Sequence, residues 1–487
     1  MLLNTKDFGT VGNGLTIDSP AIQKAIDACA ATGGGTVVCP AGEYLVGTIE
    51  LKSHVELHLE PGCRLISCLD PQYFYLPDDV TGEHEMFALL TAAHAEDITL
   101  SGRGVIDGQC MTFMYDDPDN GGNGEEHLTL DDARRFRPKL LRFEDVRKAV
   151  IKDVTFKDSA LWTIHLAACA DSRVSGVIVD NPLRACNSDA IDPDCCKNLI
   201  ISECLLKTGD DGICVKSTKA LAERYGTCEN ILVSNCIIHS TSSSLKIGTE
   251  TFGNIRNITF SDCQVYGSSH ALAVYARDGG TIENIKFTNI IGNARRHGNA
   301  PHHKHGWEWW GKGDAVFVSA VRRRPDYHAP GIIRNITFDN INLDCEASVY
   351  ISAGSGDAMV ERVSLNSCNL RFIRQGTQPT GWFDEQPSVR NAFEHDSPGI
   401  FAENVNGLEV TGCRIEWVRP EGEKWTGVAE IINSRMVNFT AFHTDFVPPG
   451  WTWFKITDST VKLKDIAEKN HTRLYHSVNS NVAVSDL

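Results

Sequence analysis

The sequence has no run of 18 or more apolar residues, so no membrane-spanning helix is expected. It is also short of positive charge. Its 46 Lys and Arg against 63 Asp and Glu leave a formal charge of −17. Nucleic acid and anionic membranes are therefore poor partners. A long polyanionic substrate would need local basic groups to offset that field. The first residues, MLLNTKDFGTVGNG, lack the charged and apolar regions of a signal peptide. The expectation is a cytoplasmic protein, or a secreted one if the sequence starts at a mature end. Disulfides are not expected either. The 17 cysteines are an odd number without a signal peptide, which favours reduced, buried thiols.

Length alone would suggest about two to four domains, a prior that fails for solenoids. A repeat is present. KNLIISECLL (from Lys197), ENILVSNCII (from Glu229), RNITFSDCQV (from Arg256), ENIKFTNIIG (from Glu283), RNITFDNINL (from Arg334) and ERVSLNSCNL (from Glu361) start 32, 27, 27, 51 and 27 residues apart. The 51 is read as one coil plus a long insertion. Each copy has a polar start, alternating β-branched residues and a small or polar corner. Alternation with period two marks a strand with one buried face. Such a unit cannot bury that face alone, so the units must stack. The predicted fold class is all-β, a right-handed parallel β-helix with coils about 4.8 Å apart.

Cys204, Cys236, Cys263 and Cys368 share one repeat position and read as an inward stack of small apolar side chains. Asn198, Asn230, Asn257, Asn284 and Asn335 read as an asparagine ladder at a turn. TIDSPAIQKAIDACAATGGG predicts an N-terminal capping helix. Asp18 or Ser19 can cap it, Pro20 suits its first turn, and Gly33 to Gly35 stop it. The β-helix is expected over 1–446, with 447–487 as a C-terminal extension packing on the helix end.

The stretch from Asn187 to Ser217, NSDAIDPDCCKNLIISECLLKTGDDGICVKS, holds five aspartates. Asp189 and Asp210 are 21 residues apart, close to one short coil, so stacking puts them on adjacent coils. Asp210 and Asp211 would point to opposite sides of a straight strand. Both can face one groove only at a bend, which Gly209 permits. Glycoside hydrolysis uses such equipment, an acid for the leaving oxygen and a carboxylate to activate water. Crowding would keep one carboxyl protonated. On spacing alone three alternatives stay open: turn residues, a calcium site, and lyase or epimerase chemistry with Lys216 or Lys246 as base.

NSDAID (Asn187–Asp192), TGDD (Thr208–Asp211) and VKS (Val215–Ser217) resemble the polygalacturonase family, glycoside hydrolase family 28. DFGTVGNG at Asp7, GGGTVVCPAGEYLVGTIELKSHVELHLEPG from Gly33 and LWTIHLAAC from Leu161 extend the resemblance. The resemblance implies an inverting hydrolase that needs no metal and no cofactor. Asp210 would be the general acid, Asp189 and Asp211 would hold and activate water, and Asn187 would orient the cluster. Lys216 would lie close behind it. Two family features are missing. Ser243, in SSSLKIGTE, stands where the family has a histidine. Ala273 and Tyr275, in ALAVYARDGG, stand where it has an arginine and a lysine that grip the galacturonate carboxylate. Losing both cations removes charge-assisted hydrogen bonds, so the implied outcome is retained chemistry on a changed sugar. Lys246, Arg277 and His270 are near enough in sequence to compensate.

The insertion ARRHGNAPHHKHGWEWWGKGDAVFVSAVRRRPDYH places Trp307, Trp309 and Trp310 in a Gly-rich loop. They are read as a sugar-stacking wall, or as indoles folded back on the helix or in an oligomer interface. His297, His302, His303 and His305 lack metal-site spacing and read as a solvated loop. Arg322, Arg323 and Arg324 read as surface charge or an anion subsite. Long loops on one face of a solenoid often shape its binding surface, and a groove walled at one end would suit exo-action. The expected partner is an oligosaccharide or glycoside. The rival reading is a β-helix that binds glycan without turnover. Oligomeric state is left open.

Overall fold

The structure, a computed structural model, describes all residues except 82–86, 117–127, 132–135, 298–311, 327, 355, 378–379, 419–421, 445–446, 448–449, 467–473 and 486–487. The chain forms two compact units, one running to Ser240 and one from Thr241. Both are stacks of parallel coils, and each coil contributes strands to three ladders. Among the described residues no helix is long and apolar enough to cross a membrane.

In the unit up to Ser240, one ladder runs from Gly35–Cys39 through Val55–Leu59, Thr99–Gly102, Val150–Lys152, Ala170–Ser175 and Lys197–Ser202 to Cys228–Ser234. Its register aligns Leu57, Leu100, Ile151, Val174, Ile201 and Val233. All six are fully buried. Burying such a side chain stabilises by ~1.5–3 kcal/mol, so the in-register stacking of aliphatic side chains contributes stability coil by coil. A second ladder runs from Gly42–Val46 to Ile237–Ser240. The third runs through Ile49–Glu50, Ala88–Ala93, Lys139–Glu144, Ile164–Ala167, Ile191–Asp194 and Ile213–Ser217. It differs from the others: from Lys139–Glu144 onward every residue of its strands is buried. One face meets the core and the other is covered by polar groups.

Helix α1 (Ser19–Ala31) caps the first coils with Ile22, Ala25, Ile26 and Cys29, all fully buried. Its N-terminus departs from the expected capping. Asp18 makes no side-chain cap bond. Its carboxylate accepts the amides of Val11 and Gly12 at 2.6 and 2.9 Å. Ser19 Oγ accepts the Gly47 amide at 3.2 Å. These side chains tie neighbouring loops to the cap.

In the unit from Thr241, Phe260, Phe287 and Phe338 stack at 4.8 and 5.0 Å. The expected break after residue 446 is absent. Phe454–Thr457, Thr460–Lys464, Tyr475–Val478 and Asn481–Ser485 continue the ladders in parallel register. Residues 447–487 therefore add coils. The repeat was hard to see there because Thr460 stands at the asparagine position, which Asn481 takes up again only in the following coil.

All seventeen cysteines are free. Cys204, Cys236, Cys263 and Cys368 are at most 1% exposed. Each thiol donates to the carbonyl two residues earlier, on Ser202, Ser234, Ser261 and Asn366, at 3.1–3.4 Å. The asparagine ladder is present. Asn198, Asn230, Asn257, Asn284 and Asn335 all have φ between 55 and 60°, the left-handed region that Asn tolerates best after Gly. Amide groups link Asn230 to Asn198, Asn284 to Asn257 and Asn335 to Asn284 at 3.0–3.1 Å.

Asn284→Ala loses the left-handed preference, about 1–2 kcal/mol, and also the ladder bonds. Asn284→Gly keeps the conformation and loses the bonds only. The urea midpoint is expected to fall further for Ala than for Gly at unchanged slope; equal falls would refute the conformational part.

Candidate active site

Thr163 N donates to Asp189 O at 2.8 Å, and Ala190 N to Asp211 O at 2.9 Å. The two aspartates thus sit on successive coils in one register. Their carboxylates and the Cys214 thiol each place an atom within 4.8 Å of the others. Asp189 and Asp211 are 3% and 2% exposed, while Asp210 is half-buried. The Asp210 carboxyl accepts the Asn187 amide at 3.0 Å and the Asp211 amide at 2.9 Å. Asn187 itself is exposed, at φ 53°, and orients Asp210 through its backbone.

The bend before Asp210 has a different cause from the one expected. Gly209 does not need positive φ. A Cβ there would lie 2.4 Å from Ala185 O and 2.6 Å from Ala185 N. The requirement is close approach of two backbones. A buried polar pin holds this approach. Asn181 Nδ2 donates to Thr163 Oγ1 and Ser188 O, both at 2.9 Å. Ser188 Oγ donates to Ala185 O at 2.8 Å and accepts the Gly209 amide at 3.2 Å.

Lys216 is 4% exposed. Its Nζ lies 2.9 Å from Asp189 Oδ2, 3.3 Å from Asp192 Oδ1, and 3.9 Å from the Trp162 ring centre. Lys139 Nζ lies 4.3 Å from that centre and 2.9 Å from His165 Nδ1. His165 Nε2 faces Asp194 Oδ2 at 3.4 Å, and Asp194 Oδ1 accepts the Thr218 amide that opens helix α2 (Lys219–Tyr225) at 2.9 Å. A carpet of buried charge thus underlies the aspartates. Burial, reinforced by Asp189 and Asp211 against Lys216 and Lys139, pushes Asp192 well above the usual carboxylate range. Burial, with Lys139, Arg142 and Lys216, pushes His165 well below its ordinary value, leaving it neutral.

Lys139, Trp162, His165 and Asn181 had no role assigned from sequence. Trp162 and His165 lie inside LWTIHLAAC, and Asn181 opens an Asn-Pro pair, so only the turn carried a local signal.

Asp189, Asp211 and Cys214 are also the one group of metal-capable ligands close enough to share an ion among the described residues. Two hard oxygens and a thiol make a poor calcium set, and the Lys216 ammonium already neutralises Asp189.

In the unit from Thr241, Ser243 is buried and pairs in register with His270; Lys246 pairs with Ala273. Lys246 is half-buried, 5.0 Å from the Tyr275 ring centre. Tyr275 is 4% exposed and packs with Ala273, Phe317 and Tyr350. Arg277 is fully buried and donates to the carbonyls of Ala276, Ser319, Glu385 and Pro387. His270 pairs with Asp314 at 3.0 Å and packs on Phe317. Arg277 and His270 are thus both engaged inside the protein. Arg323 is bidentate to Asp278 at 2.7 and 2.8 Å, and Arg322 pairs with Asp357. His297, expected in a solvated loop, is buried with Nε2 against Gly267 O. Trp307, Trp309, Trp310, His302, His303 and His305 lie outside the described residues.

Burial, then repulsion from Arg142 and Lys216, opposed by Asp192 and Asp194, pushes Lys139 down from 10.5 to about 7. Between these values the unfolded chain holds the proton and the folded one has released it, so this group makes stability rise with pH. Lys139→Met removes that rise. From pH 7 to 10 the urea midpoint of the wild type is expected to gain on that of the variant; a constant gap would overturn the assignment.

A family model described as glycosyl hydrolases family 28 matches residues 29–295. A probable polygalacturonase of Vitis vinifera is 28% identical over 248 residues, 46% of this chain and 48% of that protein. An exo-poly-alpha-D-galacturonosidase of Dickeya chrysanthemi is 25% identical over 251 residues, 44% of this chain and 41% of that protein. The chain spans about half the length of the curated relatives it matches. The solved family 28 exopolygalacturonase of Yersinia enterocolitica aligns with 100% of this chain and 79% of its own, with TM-score 0.63 and 16% identity. That likeness shows the fold, a right-handed parallel β-helix. Because the family match runs over more than half of the chain and encloses Asn187 to Ser217, the protein belongs to glycosyl hydrolases family 28.

Proposed function

We propose that the protein hydrolyses O-glycosidic bonds of a pectin-related or similar oligosaccharide, with inversion and from chain ends. The observation that carries this reading is the meeting of the Asp189 and Asp211 carboxylates on successive coils, within 4.8 Å, with Asp210 beside them at the bend. Asp189 and Asp211 hold and deprotonate the attacking water, and Asp210 protonates the leaving oxygen. The amides of Asn187 and Asp211 hold the Asp210 carboxyl in place beside the pair. Lys216, a possible base for elimination, is buried in an ion pair with Asp189, which speaks for hydrolysis over lyase chemistry.

The substrate proposal rests on the missing cations. Ala273 and Tyr275 are part of an aromatic cluster; Arg277 and His270 are engaged inside the protein, and of the three cationic candidates Lys246, half-buried 5.0 Å from the Tyr275 ring centre, keeps a place beside them. A sugar less anionic than galacturonate at this position fits that wall. Exo-action draws on the exo-acting relative of Dickeya chrysanthemi.

Asp210→Asn is expected to lower kcat on a cleaved glycoside by about 10²–10⁴-fold with the thermal midpoint kept. Proton NMR of the first product should show the inverted anomer, and a chelator should not slow the reaction. Retained configuration, or an unsaturated product, would sink this reading.

A further inference from the structure

In the unit from Thr241, one row runs along the outer face of the third ladder. Phe317, Tyr350 and Phe401 are register partners, and Glu430, Lys455 and His476 continue the row. The aromatic half is covered. Phe383, on the hairpin Trp382–Asp384 and Ala392–Glu394, packs on Tyr350 and Phe401 at 4.8 and 4.9 Å. His395 ends the cover, stacked on Phe383 at 4.7 Å. Where the cover stops, the row turns charged and a hollow of about 360 Å³ opens, lined among others by His395, Asp396, Glu430, Thr452, Lys455 and His476. Its size falls at the lower end of small-ligand sites, ~300–1,000 Å³.

The polar groups in the hollow define what fits. His395 Nδ1 lies 2.6 Å from the Asp396 carbonyl, so Nδ1 carries a proton, and in the neutral ring Nε2 is an acceptor. Nε2 faces Glu430 Oε2 at 3.7 Å, beyond hydrogen-bond range. Glu430 is 6% exposed, and its other oxygen holds the Lys455 ammonium at 2.6 Å. Two acceptors therefore face each other with a cation alongside. A vicinal diol satisfies all three: one hydroxyl donates to Nε2, its neighbour donates to Glu430, and an oxygen accepts from Lys455. The hollow sets two carboxylates, Glu430 and Asp396, against the single ammonium of Lys455, which disfavours uronates and phosphates.

We propose that this hollow binds one neutral sugar residue through a vicinal diol, as an accessory carbohydrate site that shares no residue with the aspartate centre. The site does not depend on the proposed hydrolysis. It is tested by binding alone, on the full chain carrying Asp210→Asn so that no ligand turns over. Isothermal titration with the methyl glycosides of galactose, rhamnose and xylose is expected to show saturable binding of at least one. Glu430→Gln, which removes charge without changing shape, and Thr452→Trp, which fills the hollow, should each weaken that binding at least tenfold. Weakening in either variant with an unchanged thermal midpoint supports the site. No binding of any neutral glycoside, affinity unchanged in both variants, or methyl galacturonoside binding as tightly as the neutral sugars would overturn it. Since turnover is not measured, failure here leaves the hydrolase proposal standing.

Discussion

Register between successive coils governs the molecule. A one-residue slip of any strand would turn its buried face outward. In the first unit that would expose the line of Leu57, Leu100, Ile151, Val174, Ile201 and Val233. The corners prevent such a slip. A left-handed asparagine recurs at the same place in coil after coil, and its amide meets the amide of the coil beside it. The same register places Ala190 N on Asp211 O. Two carboxylates that are far apart in sequence are thereby held together by a core they do not belong to.

Stability cannot be the reason for the charges beneath that pair. Lys139, His165, Asp192, Asp194 and Lys216 are nearly or wholly buried. Taking ions out of water costs several kcal/mol each, and pairing returns that only with good geometry. Here part of the cost is avoided by giving up charge. Asp192 and His165 are held neutral by burial. The Lys216 ammonium sits between Asp189 and Asp192, 2.9 and 3.3 Å away, and offsets the charge of Asp189. A cluster built this way keeps a proton on some of its members in the neutral range, which a proton-transfer site needs.

The repeat was legible because side-chain alternation and recurring asparagines are local consequences of the fold. The cysteine stack followed from a shared repeat position and the capping helix from its Pro and Gly signals, while counting residues per coil paired Asp189 with Asp210, one residue short of its register partner Asp211. What stayed hidden depended on contacts across coils. Gly209 was read through its freedom in φ, but its constraint is the backbone of Ala185, 24 residues earlier in the chain. Lys139 carries no motif of its own, and LWTIHLAAC gave His165 no role; only register brings them close to Lys216. The coils after 446 were missed because continuation of a ladder needs inward apolar residues, not a particular corner residue. His297 looked like part of a polar loop, yet it is buried with its ring against the Gly267 carbonyl.

The exchange at 273 and 275 is best understood through what happens to the neighbouring cation. Arg277 stands two residues on, with the charge that a carboxylate would require. Four carbonyls and the Tyr275 ring hold its guanidinium inside the protein. Turning it outward would take a donor from each of those carbonyls, including the two on the segment 385–387, though Ala276 O would keep the Val321 amide at 3.2 Å. Each buried group so orphaned costs about 1–3 kcal/mol. The arginine is therefore fixed by the loop it supports, and the loop's hairpin in turn covers Tyr350 and Phe401. Aromatic packing and the burial of Arg277 are one arrangement: the segment whose carbonyls the arginine holds carries the hairpin that covers the aromatic row.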